Sequence, residues 1–237
     1  YPWAVIGYDG GMTGLTRALH LYQQELRIVK PGRDGLALSN TWGDRNRDQA
    51  LNEAFMLSEI DIASSLGIDV CQIDDGWQGK RGGKDNAIQP NAKFPDMKGL
   101  TRAIHDMGLR VGIYSTPWIG TYAAHIGSYS DNPDGVNEWI KKGRHNEHYR
   151  YQKEGGNYWK DRTEVRHLGP YSFVEADVKQ WGEWGIDYLK YDWNPLDYYH
   201  VKEMHDALRT LDRDVVYSLS NSAPYGDAPQ WMQYSNC

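Results

Sequence analysis

Trp184-Gly185-Ile186-Asp187-Tyr188-Leu189-Lys190-Tyr191-Asp192 is a helix stop followed at once by a short apolar strand that ends in charge. Before it, Phe173 to Trp184 carries apolar residues at helical spacing, and Gly185 suits the left-handed position that closes a helix. The same unit recurs along the chain. A helix from Asp48 to Leu66 places Leu51, Ala54, Phe55, Ile62, Ala63 and Leu66 on one stripe, Gly67 ends it, and Ile68-Asp69-Val70-Cys71-Gln72-Ile73 runs into Asp74-Asp75-Gly76-Trp77. Met97 to Met107, Gly108 and Leu109-Arg110-Val111-Gly112-Ile113-Tyr114 repeat it, ending at Ser115-Thr116-Pro117-Trp118. Asp197 to Leu211 precedes a further strand, Val215 to Ser220, and Leu36 to Asn40 supplies the first strand, ending at Thr41-Trp42.

Strands alternating with helices mean βαβ units and a parallel sheet. Five strands are read in this way, with a sixth beginning near Gln233. An open doubly wound sheet and a (β/α)₈ barrel both fit. No glycine-rich phosphate loop follows any strand, which disfavours the nucleotide-binding version. Carboxylates, a lysine and aromatics gather at the C-terminal strand ends, where barrel enzymes carry their sites. The expected fold is therefore α/β, a (β/α)₈ TIM barrel of which about five to six βα units are present. Such a number does not close an eight-stranded barrel. The chain also stops at Tyr234-Ser235-Asn236-Cys237 without a terminal helix, so it is expected to be part of a longer protein. Residues 1–33, with a helix over Leu15 to Ile28, read as a lead-in; 34–237 read as the N-terminal part of the catalytic barrel. Residues 117–171, rich in Tyr, Trp, His and Gly, form a long insertion that would border a substrate.

Composition narrows the class. The 237 residues are 40% hydrophobic and 24% charged, enough for a buried core. A net charge of −6 with dispersed cations leaves no nucleic-acid footprint. No apolar run is long enough to span a bilayer, and Tyr1-Pro2-Trp3-Ala4 has no signal-peptide character. Cys71 reads as a small core residue and Cys237 is terminal, so the redox compartment stays open. Trp 10 and Tyr 17 against Phe 3 favours aromatic faces that keep a polar handle, which suit stacking on sugar C–H faces as well as ordinary packing.

Asp192 is the first chemical candidate. Lys190, two residues earlier on the same strand face, favours its ionised form, as nucleophilic attack on an anomeric carbon requires. A structural Lys–Asp pair has the same spacing. Asp74 and Asp75 are adjacent acceptors suited to sugar hydroxyls; a divalent metal and, for Asp75, a helix N-cap are the competing uses. No His or Glu stands at ligand spacing, so no metal is assigned. Trp42, Trp77, Tyr114 and Trp118 would set aromatic faces round one rim. His145 and His148 read as solvated loop residues.

Together these residues resemble the α-galactosidase (melibiase) clan of glycoside hydrolases, families 27 and 36. Ile73-Asp74-Asp75-Gly76-Trp77 is similar to the clan's Asp-Asp-Gly/Cys-Trp motif. Phe94-Pro95-Asp96-Met97-Lys98-Gly99-Leu100 and Gly108 to Tyr114 resemble the next unit, and Trp184 to Asp192 the nucleophile strand. Arg17-Ala18-Leu19-His20 looks like a family 36 lead-in. The resemblance implies a retaining double displacement without a cofactor. Asp192 would be the nucleophile and Lys190 would bond the sugar. Asp74 and Asp75 would hold the 4- and 6-hydroxyls, with Trp42 and Tyr114 lining the subsite. It implies as substrate an oligosaccharide or glycoconjugate ending in α-galactose or α-N-acetylgalactosamine.

Three departures qualify this picture. The clan's acid/base aspartate follows the sixth strand, beyond Cys237, and Asp227 is not expected to replace it. Cysteines that flank the aspartate motifs in eukaryotic members are absent, since Gly76 and Trp193 stand there; this implies a bacterial protein without disulfides at the site. Localisation is not assigned, the periplasm or secretion being expected over the cytoplasm for a bacterial glycan-degrading enzyme. Ser220 and Ala223 stand where family 27 α-galactosidases carry a glutamate, resembling N-acetylgalactosaminidases, although Asn221-Ser222 fits neither pattern. A transglycosidase of the same clan and a non-catalytic carbohydrate-binding barrel remain as alternatives.

Overall fold

The computed structural model describes residues 5–26, 33, 35–42, 51–81, 84–116, 173–192, 196, 198–220 and 225–237. The expected insertion over 117–171, with Trp118, His145 and His148, lies outside them, and so does Ala223. The chain divides into two units, Tyr1–Leu36 and Ala37–Cys237. In the first, the lead-in helix is α1, Gly11–Leu26, which starts four residues earlier than its apolar spacing suggests.

The second unit is built on a five-stranded sheet. In chain order its strands are β1 (Leu38–Asn40), β2 (Val70–Ile73), β5 (Arg110–Ser115), β6 (Tyr188–Tyr191) and β7 (Val216–Leu219). All four neighbouring pairs are parallel, in the order β1-β2-β5-β6-β7. Helices α2 (Glu53–Ser65), α3 (Met97–Asp106), α4 (Val174–Trp184) and α5 (Tyr198–Leu208) alternate with these strands.

Helices α2 and α3 have local reasons to start, and α2, α3 and α4 to stop. Asn52 Oδ1 accepts from Phe55 N at 2.8 Å to open α2, and Asp96 Oδ1 accepts from Gly99 N at 2.8 Å to open α3. Gly67, Gly108 and Gly185 follow α2, α3 and α4 with φ of 71°, 76° and 85°, the left-handed closing position foreseen for them.

Strand alternation divides the side chains between two faces. Cys71, Ile73, Val111, Ile113, Leu189 and Tyr217 share one core with Ile60, Leu100, Ile104, Trp181, Val201 and Met204 of the helices. The opposite face carries the row Asn40–Gln72–Gly112–Tyr188–Val216, and then Tyr114–Lys190–Ser218. Gly112 makes the first row possible. A Cβ there would stand 3.0 Å from Gln72 Cγ and 3.2 Å from Tyr188 Cδ1, tighter than ordinary contact.

Two features differ from expectation. An antiparallel hairpin, β3 (Gln78–Arg81) with β4 (Ile88–Pro90), follows Trp77. It is held to α4 from a distance in sequence: Ile88 N donates to Asp177 Oδ1 at 2.8 Å, and Gln180 Nε2 donates to Ile88 O at 2.6 Å. No local pattern announces such partners. Near the end, Gln233 lies not in a sixth strand but in α6, Ala228–Tyr234, opened by Pro229 in its first turn. The expectation of no terminal helix is corrected with it. Extended pairing starts only at Asn236, whose N donates to Tyr217 O at 2.7 Å while Leu219 N donates to Cys237 O at 2.7 Å.

Candidate active site

The site starts from β2 and β6, the two strands with charged ends. Continuing β2 by one residue brings Asp74 onto the face that carries Gln72, and the main chain then turns. Two side chains hold that turn: Gly76 N donates to Gln78 Oε1 at 2.9 Å, and Asn91 Nδ2 donates to Gly76 O at 2.8 Å. Asp75 is fully buried and its N donates to Asp74 Oδ1 at 2.8 Å. The turn leads into β3, so the N-cap alternative for Asp75 falls. On β6 the ladder extends past its last residue, with Asp192 N donating to Ser115 O at 2.9 Å and Ser220 N to Tyr191 O at 2.9 Å. Ser220 is half-buried on the neighbouring strand.

Lys190 joins the two ends. Its Nζ lies 2.9 Å from Asp74 Oδ2 and 3.8 Å from Asp192 Oδ2. The ammonium also stands 5.4 Å from the Tyr114 ring centroid and 5.8 Å from that of Trp42, within cation–π range. Four of the residues singled out in the sequence, Trp42, Asp74, Tyr114 and Asp192, thus converge on a fifth, the Lys190 ammonium. Trp42 is 46% exposed and presents its ring to solvent, whereas Tyr114 is buried.

Trp77 does not join the rim. It is fully buried, donates from Nε1 to Tyr114 O at 3.0 Å and meets Trp184 edge-on at 5.8 Å. The turn at Gly76 sends this ring into the core, so its burial serves packing and a buried hydrogen bond. Asp227 precedes α6 and is exposed.

Sequence reading missed the residues that hold Asp74. Gln72 Nε2 donates to Asp74 Oδ2 at 3.2 Å, and Asp74 N donates to Thr41 Oγ1 at 2.9 Å. Gln72 is the polar interruption of an apolar strand two positions before Asp74, and that parity is the signal available. With Lys190, Gln72 and Asp75 N as donors, three of the roughly four acceptor positions of the carboxylate are filled, which leaves room for about one ligand hydroxyl. One row lower, burial pushes the Tyr188 phenol up to about 12, with a hydrogen bond from Ser218 opposing the shift. Among the described residues no group of three or more His, Cys, Asp or Glu is placed to hold a metal ion.

A carboxylate beside an ammonium, a second carboxylate on the same cation and an aromatic face open to solvent make an arrangement suited to an uncharged polyol. The profile of the melibiase family matches residues 1–218. The chain belongs to the melibiase family. This member is similar to α-galactosidase A of Cellvibrio japonicus, 29% identical over 216 residues that cover 86% of this chain and 41% of that protein. It is 30% identical to the probable α-galactosidase B of Neosartorya fischeri, covering 89% of this chain and 49% of that one. Among solved structures, α-galactosidase I from Mortierella vinacea superposes with a TM-score of 0.60 at 25% identity, over 85% of this chain and 44% of that one. This melibiase-family sheet is five strands of a (β/α)₈ barrel. The chain spans under half the length of these relatives.

Proposed function

We propose that the protein carrying this chain is a retaining glycoside hydrolase that removes terminal α-galactosyl residues. The observation that supports it is the placement of Lys190 Nζ between Asp74 and Asp192 beneath the Trp42 ring, in a chain of this family. In this reading Asp192 attacks the anomeric carbon, forming a glycosyl ester as the bond to the aglycone oxygen breaks. Water then attacks the same carbon and releases Asp192, so configuration is retained. Lys190 supplies the counter-charge that keeps Asp192 ionised and donates to the sugar. Asp74 and Asp75 take the 4- and 6-hydroxyls, and Trp42 with Tyr114 forms the wall. The acid/base carboxylate comes from the loop after the next strand, outside residues 1–237. Residues 34–237 form the N-terminal part of the catalytic barrel, preceded in sequence by the lead-in over 1–33.

A second reading is an α-N-acetylgalactosaminidase. The half-buried Ser220 one strand from Asp192 supports it, since a small side chain there leaves space for a 2-acetamido group.

The test is hydrolysis of 4-nitrophenyl α-galactoside and its N-acetylgalactosaminide counterpart by the full-length protein. Turnover of the galactoside is expected, and Asp192→Asn should reduce kcat on the order of 10⁴-fold. A mechanism-based fluoro-glycoside should esterify Asp192, identified by peptide mass. Inactivity of well-folded protein on both substrates overturns the reading.

A further inference from the structure

Gln72 is buried on the face of the sheet that carries the site, and its amide has a defined sense. The sense starts at Trp42, whose backbone N donates to Asn40 Oδ1 at 2.7 Å. Only the oxygen of the Asn40 amide can accept that proton, so its nitrogen is left to face β2. There Asn40 Nδ2 donates to Gln72 Oε1 at 3.1 Å. With its oxygen so engaged, Gln72 turns Nε2 toward Asp74, and donates to Oδ2 at 3.2 Å. Lys190 Nζ reaches that same oxygen at 2.9 Å. The absent side chain at Gly112 gives Gln72 its space, since a Cβ there would lie 3.1 Å from Gln72 Cβ.

We infer that Asn40 and Gln72 are positioning residues: a directional amide relay that fixes the Asp74 carboxylate, and through it the separation of Lys190 from Asp192. This inference rests on the glycosidase reading and deepens it. Asp74 Oδ2 carries two donors, from Gln72 and from Lys190. Take the Gln72 donor away and only Asp75 N on Oδ1 and Lys190 on Oδ2 hold the carboxylate, so it can shift about its terminal torsion, which has broad minima. Lys190 then loses its fixed acceptor and closes on Asp192, tightening a 3.8 Å approach into a direct ion pair on the nucleophile. The relay also ties the Trp42 backbone to Asp74, so the aromatic wall and the hydroxyl-binding floor are set by one chain of bonds.

Two isosteric substitutions test the direction of the relay. Gln72→Glu replaces the donor facing Asp74 by an acceptor. Asn40→Asp leaves the bond from Trp42 N but sets an acceptor against Gln72 Oε1, which turns the Gln72 amide over and presents its oxygen to Asp74. Asn40 does not touch Asp74, so an effect of Asn40→Asp on sugar handling is the signature of the relay. Each variant is made in the full-length protein; galactoside kinetics, galactose affinity by calorimetry in an Asp192→Asn background, and melting temperature are measured. Expected are losses of about 10- to 100-fold in kcat/KM for both variants, weaker galactose binding, and melting within a few degrees of wild type. Gln72→Met separates packing from polarity: it keeps the volume, removes the donor, and should lose kcat/KM to a similar degree. Wild-type kinetics and affinity in all three variants overturn the relay while the glycosidase reading stands. Loss in Gln72→Met and Gln72→Glu but none in Asn40→Asp also overturns it, because direction is then not set from Asn40. Wild-type protein that neither hydrolyses the galactoside nor binds galactose overturns the glycosidase reading, and the relay's role with it.

Discussion

At the scale of single residues, spacing was informative where both partners sit on one strand. Lys190 and Asp192 are two apart, so alternation alone puts them on one face, and Asp74 follows Gln72 by the same rule. The Asn40–Gln72 bond was hidden because it depends on the β1–β2 register, Asn40 opposite Gln72, which no local pattern encodes. Cys71 shows how the other face behaves. Burial pushes its thiol up to about 11, with Glu59 adding to the shift. The folded value lies above the unfolded one, so the unfolded chain gives up this proton first as pH rises. The contribution to stability is whole below about 9 and is lost as pH climbs toward about 11. Unfolding by urea between those two values should show a falling midpoint, and Cys71→Ala should flatten that slope. An unchanged slope would mean that the thiol ionises alike in both states.

At the scale of elements, the repeating helix–glycine–strand unit was readable because each part has its own local cause: an amphipathic stripe, a left-handed cap, an apolar run. The β3–β4 hairpin was not, because its strands are short and their partners Asp177 and Gln180 lie about 90 positions away. The same limit hid Trp77, whose place beside Trp184 follows from the turn at Gly76 and not from its position after a strand. The N-terminal ends of the strands have a network of their own. Asp187 accepts from Val111 N at 2.9 Å, meets His105 Nε2 at 2.8 Å and pairs with Arg213, so one carboxylate joins α3, β5, β6 and the entry to β7. This end of a barrel serves stability rather than chemistry. Asp187→Asn should therefore cost about 1–3 kcal/mol, read as a lower melting temperature, with galactoside KM and kcat unchanged. A change in KM without a loss of stability would contradict that division.

At the scale of the whole molecule, the chain is acidic and its candidate chemistry lies on one face of one sheet. The parallel order could be read from the alternation of elements; the end of the chain could not, since α6 and the pairing at Asn236 replace the strand expected near Gln233. The face itself is shielded. Side-chain exposure is 0% for Asp74, 13% for Asp192 and 16% for Lys190, so the three charges meet one another more than they meet water. Dissolved ions screen charges they can surround, over about 8 Å at physiological ionic strength. Sodium and chloride have little access to this trio. Its internal balance should thus be set by the protein rather than by the medium: kcat/KM on a neutral aryl galactoside should change less than about twofold between about 0.05 M and about 0.5 M salt. A site of this construction would work alike in dilute and in brackish surroundings, its electrolyte tolerance inherited from the depth at which the lysine is set.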